Sequence, residues 1–149
     1  MLEFGTRIIN ILYVERPGVY AIIRNVSAQI AVVRTEKGYF LPGGGVDSGE
    51  EFESALKREI VEEIGYDSEI GEKIGIAAQY LTSASEKRHY KKIGHFYLAT
   101  IGSKISDITE HELVWLSPDE SFKMLSRQYQ VWAVREVCEG CKQKSPGIV

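Results

Sequence analysis

The sequence predicts an α/β (α+β) fold, a mixed β-sheet packed between helices. Three features carry that prediction. Segments rich in β-branched residues recur along the chain, a run of apolar residues at helical spacing follows a glycine cluster near its middle, and a second helical stretch lies near its end. The 149 residues, 44% hydrophobic and 26% charged, suffice for one domain with a real core, expected over 1–142 with 143–149 as a flexible tail.

Taken in order, "VYAIIRNV" (19–26) and "AQIAVVRT" (28–35) read as strands. "KGYFLPGGGVDSGE" (37–50) starts as a short strand and becomes a glycine-rich loop. Phe52, Leu56, Ile60 and Ile64 then fall at helical spacing, and Gly65 can close that helix in a left-handed conformation. "KIGIAAQYLT" (73–82) and "IGHFYLATI" (93–101) are further strands, with the polar, basic "SASEKRHYKK" between them read as a loop. "HELVWLS" (111–117) is another strand. Ser117-Pro118-Asp119-Glu120 starts a helix with proline at its first position, and "QYQVWAVREVCEG" is a C-terminal helix.

Charge and composition narrow the function. A net charge of −3 provides no basic field for duplex nucleic acid. The start "MLEFGTRIINILYVERPG" reads as neither a signal peptide nor a membrane span, so the expected location is cytoplasmic. Cys138 and Cys141 form "CEGC" with no second pair and no histidines at ligand spacing, which reads as two ordinary thiols.

The segment "REIVEEIGY" (58–66) crowds Glu59, Glu62 and Glu63 into little more than a helical turn, where like charges repel. At about 100° per residue, these acids centre roughly a quarter-turn from the apolar stripe rather than opposite it. A purely solvated face would lie opposite. Glycines 43, 44, 45 and 49 lead into the helix and allow close backbone approach to a ligand. Carboxylates beside such a loop suit a hard divalent cation and repel a bare phosphate, so a metal must mediate between them.

From Gly44 the chain reads glycine, five residues, Glu50, seven residues, then Arg58-Glu59-Ile60-Val61-Glu62-Glu63-Ile64-Gly65-Tyr66. This resembles the Nudix box, a loop–helix–loop that holds divalent metal to hydrolyse nucleoside diphosphates linked to another moiety. Every charged and glycine position of the box matches, and only Tyr66 departs, standing where an aliphatic residue is usual. "FLPGG" before the box and "EHELVWLSPDE" after it extend the resemblance. It implies an α/β/α sandwich, and Mg²⁺ or Mn²⁺ as cofactor.

By that resemblance Glu59, Glu62 and Glu63 are metal ligands, joined by the Gly43 carbonyl. Glu50 and Arg58 set the geometry of the box, Arg58 holding a carboxylate through its fork of donors. Glu59 is the first candidate for the base that takes the water proton. A further acid comes from Glu110 or Glu112, with Glu110 the better match to the "EH" that precedes the tryptophan. Arg34, at the end of a strand, faces either substrate phosphate or solvent. Tyr90 in the basic run offers a base-stacking ring.

The proline of ADP-ribose-cleaving members is replaced by Leu81 and Thr82, Tyr80 reads as a core aromatic, and signatures for NADH and coenzyme A are missing. The expected partner is therefore a small nucleotide, with a nucleoside triphosphate favoured, for a monomer or homodimer. Two other readings exist. A nucleotide-sensing module would lack box acids, which this chain keeps, and a prenyl diphosphate isomerase would need an active-site cysteine.

Overall fold

A computed structural model describes residues 1–143. The elements, in chain order, are β1 (Leu2–Phe4), β2 (Val14–Ile23), β3 (Ile30–Thr35), β4 (Gly38–Phe40), β5 (Gly43–Gly45), α1 (Phe52–Ile64), β6 (Tyr66–Ser83), β7 (Arg88–Lys104), β8 (Glu112–Leu116), α2 (Pro118–Met124) and α3 (Gln128–Gln143). The strands form a five-stranded mixed sheet, β1-β6-β7-β2-β5, and a three-stranded antiparallel sheet, β4-β3-β8. In the larger sheet β2 runs parallel to β7, while β6–β7 and β2–β5 are antiparallel.

Period-2 alternation splits the core in two. On β2 and β3, Val19, Ala21, Ile23, Ala31 and Val33 turn toward Leu56, Ile60 and Ile64 of α1. Their neighbours Ile22, Ile30 and Val32 turn the other way, toward Phe96 and the α3 residues Tyr129, Ala133 and Val134. Both strands are thus buried on two faces, which is why they read as continuous apolar runs. The result is helix, sheets, helix, the layered arrangement the sequence predicts.

Helix α1 ends at Gly65, whose φ of 81° is left-handed and whose N–H returns to the carbonyls of Ile60 and Val61. No side chain fits there, since a Cβ would stand 2.2 Å from the Ser106 carbonyl oxygen. At the other end of the chain α2 opens with a capping box, in which the Ser117 hydroxyl accepts from the Glu120 N–H and the Glu120 carboxylate accepts from the Ser117 N–H.

The structure corrects four sequence expectations. The segment before residue 19 carries β1 and the first half of β2, because its pairing is with β6 and β7 rather than local. The glycine run is a strand, β5, paired with Gly18–Tyr20 of β2. The stretch 83–92 is mostly hairpin. Only 84–87 form a turn, and from Arg88 the basic residues belong to β7, their backbone held by β2 and β6 despite their polarity. β6 and β7 also run well beyond 73–82 and 93–101. Of the expected tail, Gln143 closes α3 and the rest lies outside the described residues. Among the described residues no helix is long and apolar enough to cross a membrane.

Candidate functional site

The acids of α1 are graded by depth. Side-chain exposure is 8% for Glu63, 14% for Glu59 and 43% for Glu62. Glu63 accepts a 2.6 Å hydrogen bond from the Gly43 N–H. Gly43 has φ 145°, and a Cβ there would lie 2.0 Å from the Val19 carbonyl oxygen, so only glycine can present this amide. Glu59 lies flat on the next residue, since a Cβ on Gly44 would stand 2.7 Å from its carboxyl carbon. The glycine strand is therefore a surface against which two carboxylates pack.

Arg58 joins the rest of the box. It grips Glu50 with two parallel bonds, Nε to Oε2 at 2.7 Å and Nη2 to Oε1 at 2.9 Å, and donates to the Gly45 carbonyl at 3.2 Å. Its Nη1 reaches Glu59 at 3.1 Å and Glu62 at 3.2 Å. This guanidinium holds the Glu50 carboxyl near a pKa of about 2. Burial acts oppositely on Glu63, pushing it to about 8, with help from the charges of Glu59, Glu110 and Glu62 against the Gly43 hydrogen bond. Burial raises Glu59 too, with Arg58 opposing and Glu62 and Glu110 reinforcing the shift.

Glu110 reaches this cluster through the backbone. The last carbonyls of a helix lack intrahelical partners. Here the Glu110 N–H donates to the Glu62 carbonyl at 3.0 Å and the His111 N–H to that of Glu63 at 3.1 Å. These bonds fasten the segment before β8 across the end of α1. Glu110 thus precedes the strand instead of sharing its alternation with Glu112. The Glu112 carboxylate is paired with Arg34, on the neighbouring strand β3. The His111 ring stands 3.6 Å from the Glu63 carboxylate.

Beside the cluster opens a cleft of about 1160 Å³, lined by Gly43, Gly44, Glu63, Glu110 and the Arg34–Glu112 pair. Its remaining wall includes Phe40, Lys92, Arg127 and Tyr129. Tyr90 is not among the lining residues. Its hydroxyl donates to Glu86, and its ring lies under Arg16 and Lys92, one step farther along β7. Among the described residues no three histidine, cysteine or acidic side chains are already drawn into a closed ligand set.

Sequence reasoning missed Tyr20, Arg127, Tyr129 and Gln130. The Tyr129 hydroxyl donates to that of Tyr20 at 3.1 Å, and Gln130 accepts from the Leu41 N–H at 2.8 Å. These residues come from β2, from the junction before α3 and from the first turn of α3, with no spacing in common, so only the fold unites them.

Comparison with known proteins agrees with this architecture. The NUDIX domain model matches residues 14–139. A putative 8-oxo-dGTP diphosphatase of Bacillus subtilis is 35% identical over 106 residues, covering 68% of this chain and 66% of the relative, just under two thirds of its length. The MutT protein of Methanosarcina mazei shares the fold at TM-score 0.67 and 21% identity, over 86% of this chain and 96% of that one. A MutT Nudix hydrolase of Burkholderia pseudomallei superposes with TM-score 0.62 at 26% identity, over 83% and 98%. A domain match over most of the chain, with the box folded around its glycine strand, establishes that the chain belongs to the Nudix family.

Proposed function

We propose that this protein hydrolyses a pyrophosphate linkage in a nucleoside triphosphate, using Mg²⁺ or Mn²⁺. The observation that carries the reading is an excess of carboxylate at the glycine strand. Glu59, Glu62, Glu63 and Glu110 bear on one another, while the nearby cation Arg58 is already gripped by Glu50. An all-oxygen donor set of this kind is what hard divalent ions select, and a proton held on buried Glu63 is one that cation binding would release. The residues fit the metal, with Glu59, Glu62, Glu63 and the Gly43 carbonyl as its holders. When bound, such an ion polarises phosphoryl oxygens and lowers the pKa of attacking water.

The chain's own residues supply the rest. Glu59, with its proton affinity raised by burial, is suited to take the water proton. Arg58 positions Glu59 and Glu62 through one nitrogen. Glu110 adds charge from the segment bonded across the helix end. The substrate class draws support from the relative described as a putative 8-oxo-dGTP diphosphatase.

A nucleotide panel assayed for phosphate and pyrophosphate release tests this. Turnover is expected with Mg²⁺, lost in EDTA and restored by excess metal. Undiminished turnover in EDTA would refute the metal mechanism. Binding without hydrolysis across the panel would favour a sensing module instead.

A further inference from the structure

The cleft has a second charged end that the metal reading does not use. Lys92 enters it from β7, Arg127 from the junction between α2 and α3, and Lys37 from the turn between β3 and β4. Among the described residues none of the three makes an ion pair. The Arg127 guanidinium carbon lies over the Phe40 ring, 5.2 Å from its centre, and both residues line the cleft. The Lys92 ammonium lies 5.5 Å from the centre of the Tyr90 ring.

This arrangement is unfavourable as it stands. Burial lowers the Lys92 pKa, and Arg127, Arg16 and Lys37 lower it further, with Glu86 the opposing charge. A half-buried ammonium set among other cations costs stability unless an anion joins it. The carboxylates at the far end do not serve. Glu63 is bonded to the Gly43 N–H, Glu59 to Arg58 and Glu112 to Arg34. Among the described residues none of the cleft's acids forms an ion pair with Lys37, Lys92 or Arg127.

We propose that Lys92 and Arg127, aided by Lys37, form an anion-accepting subsite for an oxyanion or acceptor-rich group of the substrate that lies away from the carboxylate cluster. This deepens the nucleotide reading and rests on it for the substrate's identity, but not for binding. Two parts of a nucleotide carry the required chemistry, a further phosphate of the polyphosphate chain or the carbonyl edge of a base such as guanine.

Calorimetry in EDTA at low ionic strength tests the subsite without turnover. The probes are inorganic tripolyphosphate, ATP and GTP, titrated into wild type, Lys92→Met and Arg127→Gln. Lys92→Met keeps the apolar stem in the sheet, and Arg127→Lys serves as a charge-conserving control, with thermal melts to establish that each variant folds. Each charge removed is expected to weaken binding about tenfold, with Arg127→Lys recovering part of the loss. Equal losses for all three probes identify the phosphate as the group bound. Losses confined to GTP identify the base edge. Unchanged affinity in both folded variants for every probe overturns the proposal. A hydrolase that fails its turnover assay but shows these losses would still have the subsite.

Discussion

The two ends of the cleft are charged oppositely and built differently. The acid end comes from one continuous stretch, in which Gly43–Gly45, Glu50 and α1 fold back on one another. Its charges are buttressed by short bonds, and its deepest carboxylate is buried. The cationic end is gathered from β7, a turn and a helix junction, and is held by ring contacts. A site that must fix the positions of several ligands needs rigid, locally encoded geometry. A site that only attracts an anion tolerates looser assembly. Interfering with each end should therefore have different kinetic signatures, the acid end on kcat and the cationic end on binding.

The largest effect is expected at the metal-holding acids. Glu62→Gln and Glu63→Gln should each lower kcat by about 10³-fold, because a lost ligand charge deprives the transition state of electrostatic stabilisation. In Glu63→Gln the amide oxygen can still accept from the Gly43 N–H, so circular dichroism should show an unchanged fold. A large rise in KM with kcat preserved would erase the distinction between the two ends.

That asymmetry also explains what the sequence made legible. The residues of the acid end stand close along the chain, so a helical wheel and one motif bring Glu59, Glu62 and Glu63 together with the glycines. Gly65 was readable as a stop because left-handed closure leaves a local signature. Arg127 and Lys92 meet only because α3 packs on the sheet, a contact that no spacing encodes. Tyr90 falls in a polar, basic run that reads as a loop, but β-pairing over most of that segment sets it outside the lining of the cleft. β1 was invisible for the same reason, its three residues being strand only through parallel pairing with β6.

Next in size is Glu110. Glu110→Gln should reduce kcat about 10²-fold with little change in KM, the range for losing a positioned acid–base group. Glu112→Gln should change kcat little, since its carboxylate is turned to Arg34. Steady-state kinetics of both variants decide the matter. A large loss at Glu112 with none at Glu110 would move the additional acid two residues onward, into β8, and leave the rest of the acid end unchanged.

Arg58→Lys should cost less, about tenfold in kcat, since an ammonium keeps the charge but cannot grip Glu50 with two bonds while reaching Glu59 and Glu62. Full activity in this variant would mean that the carboxylates hold their places without the guanidinium.

The smallest effect is thermodynamic and sets two carboxylates of the acid end against each other. Glu50, held near 2, contributes stability that is complete above its ordinary value of 4.5 and is lost as the pH falls toward 2. Glu63, pushed to about 8, does the reverse. Between 4.5 and 8 the folded state keeps the Glu63 proton that the unfolded chain has released, so stability falls as the pH rises through that window. The slope from one such group is at most about 1.4 kcal/mol per pH unit. Glu59 adds in the same sense, whereas His95, lowered by burial, opposes both below its ordinary 6.5. The useful quantity is therefore the difference between wild type and Glu63→Gln, measured by urea unfolding in EDTA. Glu63→Gln should grow relatively more stable as the pH rises from 5 to 8, the range in which the wild-type carboxyl is denied its charge. A constant difference over that range would show that Glu63 ionises freely in the folded protein, and the acid end would then store no unmet demand for a cation.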